Sequence, residues 1–394
     1  MIDMSDNADG KQMGESVNGR RRTLDRRDFV KTVVVGAAAG VCGLTASGLL
    51  ADEPGVKEAR YYETLAGGKV RCTLCPWQCV TAHGQRGQCR VRENRRGKYY
   101  TLVYGEAAAL HVDPIEKKPL FHFMPGTQAL SVGTAGCNLR CKHCQNWEIS
   151  QRTPEELRAQ GSLKAASPHQ LVTTAMQHSI PTIAYTYNEP IVFYEYMYDT
   201  ARLASANGIR SVMISSGGIN REPTLALAPY MDAIKIDLKG FSQQFYTEFT
   251  SGKLEHIQTT IKRLVALGKW IEIVYLVIPT ANDKPDTIKA MAEWVVRAAG
   301  AHVPVHFTRF HPAFKLQNLP PTPLDTLINC RAIARAAGLR YVYVGNIPGS
   351  EYASTYCPGC GKVVVKRDGY RILSRDIKPN GACRFCGRKV EGVW

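Results

Sequence analysis

From residue 129 to residue 344 the sequence alternates short apolar runs with longer stretches of helical period, and few architectures accept that pattern. The apolar runs fall near 129–133, 181–186, 210–215, 232–237, 271–278, 303–308 and 340–344. Helical patterns fill the gaps at 167–178, 191–207, 255–267, 284–299 and 322–336. Strands separated by helices of this length return parallel, so the repeat predicts an α/β fold with a parallel sheet. A doubly wound sheet and a (β/α) barrel both satisfy the alternation. Seven strand candidates with polar motifs at their C-terminal ends favour an incomplete (β/α) barrel over 125–350.

Cysteine spacing carries the chemistry. Eleven of thirteen cysteines fall into three sets, 72/75/79/89, 137/141/144 and 357/360/383/386, leaving Cys42 and Cys330 apart as structural thiols. Gaps of two or three residues let thiolates converge on one metal, whereas disulfide frameworks belong to small secreted domains. The formal charge of +16 would raise nucleic acid as a partner. With those eleven thiolates ligating metals it falls to roughly +11, spread along the chain rather than blocked, so no nucleic acid is expected. The sets also divide the chain. A polar start and apolar run cover 1–51, a cysteine-bearing lead-in 60–124, and a four-cysteine ribbon 352–394.

The run SVGTAGCNLRCKHCQNWEIS, 131–150, ends a strand candidate and then spaces Cys137, Cys141 and Cys144 as C-x3-C-x2-C. Three thiolates ligate three irons of a [4Fe–4S] cube and leave the fourth open to a small chelating ligand. The alternative, a closed zinc site, needs a fourth ligand, for which His143 is the candidate. The run resembles the signature of the radical S-adenosylmethionine (SAM) superfamily, which implies that the cluster cleaves SAM reductively to a 5′-deoxyadenosyl radical. His143 then sits where a ring side chain usually contacts adenine.

Further motifs extend the resemblance. YTYNEP, 185–190, is similar to the element of activating-enzyme relatives that binds the methionine amino group, which implicates Asn188 and Glu189. A helix N-cap is the alternative for Asn188. ISSGGIN, 214–220, resembles the ribose-contacting element through Ser215 and Ser216, although a plain β–α turn reads the same way. KIDLKG, 235–240, resembles the strand end of pyruvate formate-lyase activating enzymes, which implies that Asp237 and Lys239 face the site; a salt-bridged strand end is the alternative. RFHP, 309–312, places His311 as a contact to the methionine carboxylate. Glu272 stands where glycyl-radical activating enzymes tend to have arginine.

With both cysteine-rich flanks, the chain is similar over most of 60–394 to the radical enzymes of the AmmeMemoRadiSam system. That resemblance implies AMMECR1-like and Memo-like partner proteins besides an electron donor. The paired C-x2-C-G knuckles of Cys357, Cys360, Cys383 and Cys386 predict a zinc ribbon, with an auxiliary iron–sulfur cluster as runner-up. For Cys72, Cys75, Cys79 and Cys89 zinc and iron–sulfur stand even. Arg26–Arg27 before the apolar run resembles a twin-arginine signal, pointing to export or membrane anchoring, while the supply of SAM and low-potential electrons favours the cytoplasm. The expected function is hydrogen abstraction from a protein or small-molecule substrate. A metal-stabilised binding module on an inactive barrel is the alternative.

Overall fold

The computed structural model describes residues 53–347, 349 and 351–394; the twin-arginine-like pair and Cys42 lie outside them. The described residues belong to one compact unit, Ser47–Trp394. Its main sheet has eight strands: β1 (Ala109–Pro114), β2 (Gln128–Gly133), β3 (Thr182–Tyr185), β4 (Arg210–Ser215), β5 (Ala233–Asp237), β6 (Trp270–Val277), β7 (Val305–Arg309) and β8 (Val342–Gly345). Spatial order follows chain order from one edge to the other. All pairs from β2 onward are parallel, and β1 runs antiparallel against β2. A doubly wound sheet would reverse direction midway; here every crossover steps the same way. Right-handed steps in one direction carry the helices to one face while strand twist curls the sheet, and β1 and β8 remain as its edges.

All seven expected strands are present, and helices Pro168–Gln177, Tyr194–Ala206, Leu254–Ala266, Pro285–Ala299 and Leu324–Ala336 occupy the expected gaps. Their starts are written locally. At Pro168–Gln177, Ser167 accepts from the Gln170 backbone, the Gln170 side chain reaches back to the Ser167 backbone, and Pro168 fills the first helical position. The helix buries Leu171, Val172 and Ala175. A short helix, Arg221–Leu227, and edge strand β1 add to the pattern. Among the described residues no helix is long and apolar enough to cross a membrane.

The lead-in forms two small antiparallel sheets, Gly55–Glu58 with Lys98–Tyr104 and Arg92–Arg95, and Tyr62–Thr64 with Val70–Cys72 and Val80–Thr81. A buried ion pair, Arg92 Nη1 to Glu195 Oε2 at 3.0 Å, ties it to helix Tyr194–Ala206. The C-terminal module has its own three-stranded sheet, Thr355–Tyr356, Val363–Asp368 and Arg371–Arg375. It is not separate in its packing. Val364, Val365, Ile377 and Val390 share an apolar cluster with Phe121, Tyr341 and Tyr343. Buried Arg367 donates to the Phe121 carbonyl at 2.6 Å, so the module covers the β8 end of the sheet.

Candidate active site and metal centres

In a parallel sheet of this order all the C-terminal strand ends open on one rim, and the loops there converge. Cys137, Cys141 and Cys144, from the loop after β2, line a cavity of about 390 Å³ at that rim. Residues at or after the ends of β3, β4 and β5 line it too: Asn188 and Glu189, Ser216, and Asp237 with Lys239. Among the described residues these three sulfurs are not gathered within 4.8 Å of one another, in contrast to the C-terminal set. A tetrahedral ion with metal–sulfur bonds of about 2.3 Å would draw them to roughly 3.8 Å. Three thiols set wider than that around an open cavity fit three corners of a cube with the fourth corner exposed. Burial pushes the Cys141 thiol up to about 11, so any metal it ligates has to displace a proton.

Asn188 holds the cysteine loop in place. Its amide Nδ2 donates to the Gly136 carbonyl at 2.7 Å, and its Oδ1 accepts from the Thr134 backbone at 3.1 Å. The resemblance made it a cofactor contact, yet both ends of its amide serve the loop. Nor does it cap the next helix: Glu189 occupies the N-cap of Pro190–Phe193.

Glu189 is buried and accepts from Ser215 Oγ at 2.6 Å, the Ser216 backbone at 2.8 Å and Ser216 Oγ. The two serines therefore aim the carboxylate. Ser215 does so from behind the cavity wall, since only Ser216 lines the cavity. His143 is buried at the cavity with neither ring nitrogen partnered, and burial pushes its pKa down to about 3. A neutral imidazole with two unsatisfied nitrogens is a site waiting for a polar ring edge.

Asp237 pairs with Lys235 and lies 3.5 Å from Lys239 Nζ. Burial opposes its charge, but the two ammonium groups outweigh burial and hold its carboxyl below the usual range.

His311 departs from expectation. It lies two residues past β7, is exposed, and does not line the cavity. Glu272 is fully buried away from the cavity, accepting from the Phe121 and His122 backbones at 3.0 and 2.8 Å and meeting His306 Nε2 at 2.7 Å. Sequence reading missed Lys118, Lys235, Asn346 and Tyr370 in the lining. Lys235 was legible as an inward strand position two residues before Asp237. Tyr370, at the tip of the C-terminal hairpin, had no local signal.

A model of the Radical SAM superfamily matches residues 131–295, which hold the cysteine triad and Glu189. An uncharacterized protein of Methanocaldococcus jannaschii is 43% identical over 340 residues, 86% of this chain and 100% of that one. Residues 131–295 form a radical SAM domain. Similar solved structures include a domain of a pyruvate-formate lyase-activating enzyme from Bacteroides vulgatus, 18% identical over 41% of this chain and 98% of that one at a TM-score of 0.37. QueE from Escherichia coli is 14% identical over 61% and 92% of the two chains at 0.41. Streptococcus suis SuiB bound to S-adenosylmethionine is 12% identical over 59% and 53% at 0.43.

The C-terminal cysteines, outside the radical SAM domain, form a different centre. All four sulfurs lie within 4.8 Å of one another. The Cys357–Cys386 and Cys360–Cys383 pairs stand 3.6 and 3.9 Å apart, the edge lengths of a single tetrahedral ion. Gly361 and Gly387, at φ of 72° and 78°, make the left-handed turn each knuckle needs. The Gly359 and Phe385 amides donate to Cys357 and Cys383 sulfurs at 3.4 Å. Cys330 is a buried thiol of helix Leu324–Ala336, as expected.

Proposed function

We propose that Cys137, Cys141 and Cys144 hold a [4Fe–4S] cluster that works with SAM to abstract hydrogen from a protein or small-molecule substrate. The observation that carries this reading is Glu189, aimed by two serines into the cavity that the three thiols line. Bound there, cluster and SAM supply one-electron cleavage of the sulfonium to methionine and a 5′-deoxyadenosyl radical. The chain's residues do the rest. Glu189 accepts from the methionine ammonium, His143 meets the adenine edge, and the Asp237–Lys239 pair offers a charged wall to the rest of the cofactor. Asn188 and Ser215 position the cysteine loop and Glu189. Relation to the pyruvate formate-lyase activating enzymes and action alongside AMMECR1-like and Memo-like proteins, with an external electron donor, complete the proposal.

Glu189→Gln tests it. A charge-assisted bond of this kind is worth about 1.5–3 kcal/mol, so SAM should bind roughly tenfold or more weakly. Cluster absorbance should stay at the wild-type level, because Glu189 ligates no iron. The readout is the change in the cluster's electron paramagnetic resonance signal as SAM is titrated. An unchanged titration removes Glu189 from the cofactor site; loss of the cluster makes it a folding residue.

We infer that the C-terminal ion is zinc, whose closed four-thiolate sites are structural. The full chain purified in air should keep about one zinc after its iron is bleached. Cys360→Ser with Cys386→Ser should lose it. Retained zinc in that variant, or iron in its place in the parent, refutes the assignment.

A further inference from the structure

The lead-in cysteines form a site of their own. Cys72, Cys75, Cys79 and Cys89 wall one small cavity of about 20 Å³ between the lead-in sheets and the residues after β3. All four are free thiols, Cys72 and Cys89 buried and the other two half-buried. The backbone brings them together: the Cys72 amide donates to the Cys79 carbonyl at 2.9 Å, closing the first loop. The Gln88 amide donates to Cys79 Sγ at 3.3 Å, folding the last cysteine onto the other three.

Three other polar groups line the same cavity without a hydrogen-bond partner: Arg92 Nε, Tyr99 Oη and Asn138 Oδ1. Their residues are at most 2% exposed. A buried unsatisfied polar group is costly, and here three surround four thiols. Two of the three are donors, the guanidinium N–H and the phenol O–H, so the missing occupant is rich in acceptors and negative. Sulfur of a thiolate-ligated cluster meets that description; a water molecule would answer the donors but leave four convergent thiols unexplained.

Sulfur spacing separates the two metals that suit four thiolates. The C-terminal quartet is gathered within 4.8 Å, as one tetrahedral ion requires. Among the described residues no three of the lead-in sulfurs are gathered so closely. They share that wider setting with Cys137, Cys141 and Cys144. We propose that Cys72, Cys75, Cys79 and Cys89 ligate a second [4Fe–4S] cluster, with all four irons held by protein and no corner open to SAM.

The site adjoins the catalytic loop. Asn138, which lines it, directly follows Cys137. Arg140 clamps the two loops, one nitrogen donating to the Cys137 carbonyl at 2.8 Å and another to the Gln88 carbonyl. Gly136, at φ of 80°, lies so close that a Cβ there would stand 2.6 Å from the Cys89 carbonyl. The second cluster is therefore a neighbour of the first, within one residue of chain.

The test uses the full chain with Cys137→Ala, Cys141→Ala and Cys144→Ala combined, reconstituted anaerobically with iron and sulfide. This variant should keep about four iron and four sulfide per chain, against about eight of each in the parent. On reduction it should show a cluster paramagnetic resonance signal that SAM leaves unchanged. Conversely, Cys75→Ser with Cys89→Ser should drop the parent from about eight iron to about four while leaving the SAM-responsive signal. Should that pair fail to fold, the triple variant still decides. A triple variant holding no iron, or holding zinc beyond the C-terminal ion, overturns the proposal. So does a signal that moves with SAM, because it would mean an open iron at this site.

Discussion

Cys137→Ala is expected to bring release of 5′-deoxyadenosine by the reduced protein down to background, while the C-terminal metal stays bound. Among the described residues Cys137 is one of three thiols that line the cavity, so its loss would leave the proposed cube two ligands. Enzymes accelerate their reactions at least about 10⁶-fold, and without the cluster nothing in the site supplies the electron, so the loss should be close to complete. The fold should survive. Asn188 grips the loop through the backbone of residues 134–136, and those bonds do not involve the thiol. The proposed C-terminal metal would be held by different residues, beside a different sheet. Metal content and 5′-deoxyadenosine release, measured on one preparation, check both halves. Cleavage at the parent rate would show that the triad is not the catalytic centre.

The architecture was legible because its signals are local. Helix caps such as Ser167 with Gln170 and buried runs such as TIAY at 182–185 announce themselves within a few residues. Edge strand β1 was harder: ALHVDP is half-exposed, ends in proline and pairs on one side only. Motif positions were readable, but which way a side chain spends its hydrogen bonds was not. Asn188 and Ser215 sit at the expected strand ends, yet the amide of one holds a loop and the hydroxyl of the other aims Glu189. His311 shows the limit of transfer by motif, for the chain after β7 carries it out to solvent. Tyr370 reaches the cavity only because a distant hairpin packs there, which no window of sequence could reveal.

The metal sites divide the same way. Cysteine spacing along the chain shows that thiolates can converge, and both C-x2-C motifs at 72/75 and 357/360 read alike on that test. The identity of the guest depends on how far apart the sulfurs are held in space. That distance is set by packing: the C-terminal knuckles face each other across a hairpin, whereas the lead-in cysteines wrap a cavity backed by Arg92 and Tyr99.

Glu272→Ala should destabilise the fold by about 3–5 kcal/mol, the cost of breaking a buried charge network by removing one partner. Its carboxylate joins three parts of the chain: it lies on β6, meets His306 of β7, and accepts from the backbone of Phe121 and His122. Removing it strands two buried N–H groups and the His306 ring, beneath the C-terminal module that packs on Phe121 and Tyr343. The same network makes the protein acid-sensitive. Burial resists charge on Glu272, but His306 outweighs it and holds the carboxyl below its usual range. Burial also keeps His306 neutral below its ordinary pKa, and pushes His122 down to about 4. In each case the unfolded chain takes up protons at a pH where the folded chain does not. Stability is therefore full above about pH 6.5, the ordinary histidine value, and declines as pH falls toward 4. Thermal melts of parent and Glu272→Ala between pH 8 and 4 check both statements. The variant should melt well below the parent at pH 8 and lose at least as much on acidification, since Glu272 raises the pKa of both histidines and its loss leaves them more depressed. Equal melting temperatures at neutral pH would mean that Glu272 is a passenger rather than the joint between the sheet and its C-terminal cover.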